Sequence, residues 1–264
     1  MKKKLQATIR SVEEKLSEIC PQINIILNLK GRHWAIVGGF VRDLIISFYY
    51  KVDVPSPDVD IALIGRYPIY RKNDYISAMQ ENTFGGLKIN TSTFGEIDLW
   101  TLKGYKNQKF YISKLRNIPK FKRHTDTTIK VKDFNKYIVV WEKYLRDIDF
   151  NVNTVLYAYP EKRIIINKEK WFSFLEYKNI EINNADSSYL YLQPIRALAL
   201  ADKLSYLTSQ DFRISSQLES GLREYSSEQN RTILDYIEKK IKCRKWRDQV
   251  QASYANSLGS THQE

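Results

Sequence analysis

The stretch from Trp34 to Leu63 constrains the fold more than any other part of the chain. Ala35-Ile36-Val37 is a short apolar run of the kind found in a buried strand. It ends at Gly38-Gly39, and Phe40-Val41-Arg42-Asp43-Leu44-Ile45-Ile46 then takes up a helical pattern. A glycine pair between a strand and a helix can adopt backbone angles other residues avoid. With no side chains there, a phosphate can approach the N–H groups at the helix start. After the loop Asp53-Val-Pro-Ser-Pro57, where two prolines preclude regular structure, a second strand runs from Asp58 to Ile64. Side chains alternate along a strand, so Asp58 and Asp60 share one face and repel unless a cation lies between them. Oxygen ligands of this kind suit Mg²⁺, which is usually held by one or two carboxylates plus substrate phosphates.

Composition narrows the class. With 264 residues, 43% hydrophobic and 13% aromatic, the chain can bury a sizeable core in one large domain or two small ones. Its two cysteines, Cys20 and Cys243, match no metal or disulfide framework and suit a reducing compartment, so a cytoplasmic protein is expected. The basic start is followed by Leu5, Ile9, Val12, Leu16 and Ile19 on one face of an amphipathic helix, which Pro21 is expected to end. No stretch approaches the roughly 20 apolar residues of a membrane span, and no membrane partner is expected. The formal net charge of +12 favours a polyanionic partner, nucleic acid first, although a lysine-rich surface also follows from an AT-biased genome.

Further along, residues 72 to 82 read as a helix and 87 to 90 as a strand. In the next strand, Phe94 to Leu102, alternation places Glu96 and Asp98 opposite Ile97 and Leu99, as in any amphipathic strand. From Lys103 to Lys132, lysines and arginines are interleaved with Tyr105, Phe110, Tyr111 and Phe121 against the one acid Asp126. Such a segment either tracks a phosphate backbone and stacks on bases or forms a solvated loop, and Lys120, Lys122 and Arg123 are its candidate RNA contacts. Residues 136 to 146 read as a helix, Val155 to Asn167 as a hairpin, and Trp171 to Tyr177 as a short helix. The chain after residue 205 is expected to be helical. Arg244 and Lys245, in the basic run around Trp246, are further RNA candidates or part of a charged outer helix face.

Val37-Gly-Gly-Phe-Val-Arg-Asp43 followed by Asp58-Val-Asp60 resembles the opening pattern of the head domain in the class II tRNA nucleotidyltransferase and poly(A) polymerase family, within the DNA polymerase β nucleotidyltransferase superfamily. Two later elements keep the family's order. Ile148 to Leu156 is similar to its Arg-Arg-Asp-Phe-Thr-Ile-Asn-Ala-Leu element, with Asp149 and Asn153 matching and Ile148 in place of an arginine. Leu192-Gln-Pro-Ile-Arg196 resembles Glu-Asp-Pro-x-Arg, with Leu192-Gln193 in place of the acidic pair. The resemblance implies an α+β, polymerase β-like head domain with a mixed sheet at 31–183. It follows an N-terminal helical segment, 1–30, and precedes a helical neck, 184–264, in a minimal form without the family's long body and tail.

The activity implied is metal-dependent transfer of a nucleoside monophosphate from a triphosphate to an acceptor hydroxyl, releasing pyrophosphate. By resemblance, Asp58, Asp60 and Asp98 are the catalytic carboxylates and hold two Mg²⁺ ions, with Mn²⁺ an alternative metal and Glu96 the runner-up to Asp98. Gly38 and Gly39 cradle phosphate. Arg42 and Asp43 serve the triphosphate or pair with each other, Asp149 and Asn153 position the sugar, and Arg196 the base. Gln193 exchanges a pure acceptor for a group that both donates and accepts, so nucleotide choice is expected to differ from ordered C, C, A addition. The implied acceptor is the 3′ end of tRNA or another RNA. The same chemistry also fits a toxin or defence enzyme that modifies a partner protein and has an antitoxin or regulatory partner. An RNA-binding module without catalysis is the alternative from a different class.

Overall fold

Trp34–Val37 (β1) is buried at every position, as an unbroken apolar run requires of a strand with neighbours on both sides. In the computed structural model, which describes residues 1–56, 58–68, 74–81, 86–102, 134–184 and 193–221, those neighbours are Asp58–Ile64 (β2) and Val155–Tyr159 (β6), both antiparallel to β1. Gly95–Leu102 (β5) joins β2 in parallel. Leu87–Thr91 (β4) and Ile76–Glu81 (β3) extend the sheet beyond β5, and Arg163–Ile166 (β7) completes a hairpin with β6. The order is β3-β4-β5-β2-β1-β6-β7, a mixed sheet in an α+β chain, as the sequence predicts.

The chain divides into two units, Met1–Arg146 with Asn153–Asn167, and Asp147–Val152 with Lys168 onward. The first holds the whole sheet together with Lys2–Ile26 (α1), Gly39–Tyr50 (α2) and Phe134–Arg146 (α3). Val59, Ile61, Leu63, Ile97 and Leu99 are buried, while Asp58, Asp60, Glu96 and Asp98 alternate with them and stay partly accessible on the opposite face.

Two elements differ from the sequence expectation. α1 runs through Pro21 to Ile26 because its buried stripe does not stop there: Cys20, Ile23 and Ile26 continue the face of Leu5, Val12 and Leu16. Burying two isoleucines, at about 1.5–3 kcal/mol each, offsets the ~3 kcal/mol cost of an interior proline. The helix expected over residues 72 to 82 is, at 76–81, the edge strand β3. Its residues are mostly exposed, so burial leaves no periodicity to read, and antiparallel pairing with β4 decides its conformation.

At the end of β1 remote from the glycine pair, His33 Nδ1 lies 2.7 Å from Glu161 Oε1, and its ring stacks on Tyr137 with centroids 3.4 Å apart. The β6–β7 turn and α3 are thereby tied to the start of β1.

The second unit contains Lys168–Tyr177 (α4), Asn179–Ile180 (β8), Gln193–Thr208 (α5), Arg213–Ile214 (β9) and Ser216–Gly221 (α6), with β8 and β9 paired in parallel. Trp171, Phe174 and Phe212 are fully buried there, the last two stacked at 5.3 Å. Asp147–Val152 is fastened to this unit by Asn151 N–H donating to Glu181 O at 3.0 Å and Asn183 N–H donating to Asp149 O at 2.7 Å. No helix among the described residues is long and apolar enough to cross a membrane.

Candidate active site

The turn between β1 and α2 depends on glycine at one position. Gly38, which caps α2, has φ 64° and ψ −124°, a region closed to residues with a Cβ. A Cβ at Gly38 would stand 3.7 Å from Asp60 Oδ2, and one at Gly39 would stand 3.5 Å from Arg42 Nη2. The glycine pair thus lies against a carboxylate of β2 and a guanidinium of its own helix. Arg42 is nearly buried: its Nε donates to Asp43 Oδ1 at 2.7 Å and its Nη1 to Asn153 Oδ1 at 2.8 Å. Arg42 and Asp43 therefore pair with each other, and Asn153, which is 111 positions away in sequence, joins them.

Strand register assembles the carboxylates. Asp58 pairs with Glu96 and Asp60 with Asp98 across the parallel β2–β5 contact. On the far side of β5, Asn90 pairs with Glu96 and Lys88 with Asp98. Directly paired residues point to the same face, so two rows lie side by side: Lys88–Asp98–Asp60 and Asn90–Glu96–Asp58.

One carboxylate oxygen each from Asp58, Glu96 and Asp98 lies within 4.8 Å of the others. Carboxylate oxygens on a single Mg²⁺ lie at most about 4.2 Å apart, so side-chain movements of about half an ångström are enough for these hard-oxygen residues to fit a divalent cation. Asp60 is in register with Asp98 and stands by Gly38, but the closely spaced trio contains Glu96 in its place. Lys88 Nζ is 2.6 Å from Glu96 Oε1. That hydrogen bond and the charges of Asp98 and Asp58 push the lysine above its ordinary pKa against a smaller desolvation penalty.

The second unit brings two further candidates together. Arg196, on α5, sits with Nη1 3.0 Å from Asp149 Oδ2 and its guanidinium carbon 5.8 Å from the centre of the Phe150 ring. Asp149 Oδ1 accepts from the Phe150 N–H at 2.9 Å. Gln193, at the start of α5, is fully buried with neither amide atom hydrogen-bonded among the described residues, an uncommon state for a buried carboxamide.

Lys120, Lys122, Arg123, Arg244 and Lys245 lie outside the described residues. Sequence reasoning misses Lys88: an isolated lysine in a short strand carries no signal until its partner strand is known. The link from Arg42 to Asn153 is likewise hidden, although each of the two stands in a motif of its own.

No protein-family model matches the sequence, and no curated relative matches it either. Among solved structures, the chain is similar to a CCA-adding enzyme in complex with CTP, with a TM-score of 0.56 and 16% identity over 96% of this chain and 55% of that one. The Thermotoga maritima CCA-adding enzyme complexed with tRNA gives 0.56 and 14% over 94% and 53%, and a CCA-adding enzyme with ATP gives 0.56 and 16% over 91% and 52%. The chain spans about half the length of the structures it matches. The likeness is one of fold, and the nucleotidyltransferase fold is the one that the glycine turn and the Asp-x-Asp strand imply.

Proposed function

We propose that this chain is a metal-dependent nucleotidyltransferase that moves a nucleoside monophosphate from a triphosphate to an acceptor hydroxyl. One observation carries the reading. The β2–β5 register sets Asp60 beside Asp98, and Asp60 also stands against the Gly38 turn, so carboxylates and a helix start meet at one place. Asp58, Asp60 and Asp98 would hold Mg²⁺, which would supply a lowered pKa for the attacking hydroxyl and neutralise the charge of the leaving pyrophosphate. The chain's own contribution is positional. Gly38 and Gly39 leave the first-turn N–H groups of α2 open to a triphosphate. Arg42, held between Asp43 and Asn153, fixes positive charge behind the same turn. The acceptor hydroxyl gives up its proton to solvent as its oxygen attacks the α-phosphorus, the α-phosphorus–oxygen bond to the β-phosphate breaks, and pyrophosphate departs.

The roles of Asp149 and Asn153 on the sugar and Arg196 on the base rest on the sequence resemblance. Gln193, a donor as well as an acceptor, favours a nucleotide choice other than ordered C, C, A addition. RNA is the acceptor we favour, the 3′ end of tRNA first. The net charge of +12 and a fold shared with an enzyme solved with tRNA support it. The cysteine content supports a cytoplasmic location.

The test is incubation of the full chain with Mg²⁺, total cellular RNA and each NTP in turn, radiolabelled at the α-phosphate, with separate gels for RNA and protein. A labelled tRNA-sized band is expected. Asp58→Ala, Asp60→Ala and Asp98→Ala should each lose more than about 100-fold, since even a residue supporting a metal ligand typically accounts for 10–100-fold. Label confined to protein would replace the RNA acceptor with a polypeptide. No label, or full activity in any of the three variants, would overturn the assignment.

A further inference from the structure

On the carboxylate face of the sheet, Lys88 is directly opposite Asp98, yet its ammonium reaches diagonally to Glu96 Oε1 at 2.6 Å. By distance alone Glu96 belongs to the trio that would take a cation, within 4.8 Å of Asp58 and Asp98. An oxygen that already accepts from an ammonium is a poor metal ligand. An ammonium and a divalent ion on one carboxylate repel each other at short range, which weakens Glu96 as a ligand. Spacing and chemistry thus favour different ligands, and Lys88 is the residue on which the outcome turns.

We propose that Lys88 is a positioning residue that withdraws Glu96 from the ligand set, leaving the metal to Asp58, Asp60 and Asp98. The inference rests on the metal-dependent reading above. It adds that the chain holds its metal less tightly than its carboxylates allow, because one of them is kept occupied. The side chains of Lys88 and Glu96 are 28% and 36% exposed, so the pair is reachable by solvent and its release needs no rearrangement of the core.

The experiment measures Mn²⁺ binding to the full chain without nucleotide, by the loss of the free-ion electron paramagnetic resonance signal. Lys88→Met should bind Mn²⁺ at least tenfold more tightly than the wild type, because Glu96 is released to the ion. In the Lys88→Met/Glu96→Gln double variant that gain should disappear, and Lys88→Arg should restore wild-type affinity. Equal tightening by Lys88→Met with and without Glu96 would reduce Lys88 to a general field effect and overturn the proposal, as would no tightening at all. A tenfold loss in Glu96→Gln alone would show Glu96 to be a ligand already, which overturns it too. Mn²⁺ binding that Asp58→Ala abolishes but Lys88→Met leaves unchanged sinks only this proposal. No binding by the wild type or by Lys88→Met overturns this proposal, while the metal-dependent reading stands or falls with the labelling assay above, in which the triphosphate is present.

Discussion

Two single-methyl substitutions at adjacent positions should change stability in opposite directions. At Gly38, φ 64° and ψ −124° lie outside the regions open to an L-residue. Space is not the obstacle, since the added Cβ would sit 3.7 Å from Asp60 Oδ2, an ordinary contact. The cost of Gly38→Ala is therefore backbone strain of about 1–3 kcal/mol. Gly39 is the first residue of α2, and its Cβ would meet Arg42 Nη2 at an ordinary 3.5 Å. Gly39→Ala should stabilise by about 0.4–1 kcal/mol through reduced freedom of the unfolded chain. Urea denaturation followed by tryptophan fluorescence measures both. At a slope of about 2–3 kcal/mol/M, the Gly38→Ala midpoint should fall by about 0.3–1.5 M and that of Gly39→Ala should rise by about 0.1–0.5 M. Binding of a fluorescent NTP should weaken about tenfold in Gly39→Ala, whose methyl occupies the helix start proposed for phosphate. Wild-type stability in Gly38→Ala would refute the strain argument. Unchanged NTP affinity in the more stable Gly39→Ala would refute the phosphate cradle and leave the strain argument standing.

Three further outcomes are expected. Arg42→Lys cannot keep both the Asp43 and Asn153 bonds from one ammonium, so it should lose about 1–3 kcal/mol in the same denaturation assay; wild-type stability would show the fork to be dispensable. Arg196→Met removes an ion pair whose partners are 42% and 16% exposed, so thermal unfolding should report a loss of at most about 1 kcal/mol while nucleotidyl transfer falls. A large stability loss with transfer intact would make Arg196 structural. Burial pushes the Cys20 thiol up to about 12, so in a Cys243→Ser background it should ignore Ellman's reagent at pH 8 until guanidinium is added. Because the folded thiol ionises above the unfolded one, its contribution is complete below the unfolded pKa and lost as pH rises towards 12. The stability of the wild type relative to Cys20→Ala should therefore shrink by about 2 kcal/mol between pH 9 and 11, and a constant difference would contradict a buried neutral thiol.

What could be read from the sequence was whatever depends on a residue's near neighbours. Alternation set Asp58 with Asp60 and Glu96 with Asp98, because a period of two belongs to any strand. The glycine turn was legible because strand, glycine and helix are contiguous. Local signals failed where tertiary contacts outweighed them, at Pro21, which the buried stripe of α1 overrides, and at 76–81, which pairing with β4 makes a strand.

The site needs a quantity that no local pattern contains, the register between strands that are not consecutive in the chain. All of β2, from Asp58 to Ile64, pairs with Glu96 to Leu102. A slip of one residue would turn Asp58 and Asp60 towards the side where Val59, Ile61 and Leu63 are buried, so the apolar face excludes it. A slip of two residues would keep every side chain on its face and satisfy alternation equally well, yet it would set Asp60 beside Glu96 or Asp58 beside Asp98. Alternation therefore fixes which carboxylates face the solvent side, and only the full-length pairing of β2 with β5 fixes which of them meet. Lys88 enters by the same route. Antiparallel pairing of β4 with β5 carries it to Asp98 and from there to Glu96, so the proposed choice of metal ligand would depend on a strand absent from both the glycine turn and the Asp-x-Asp motif.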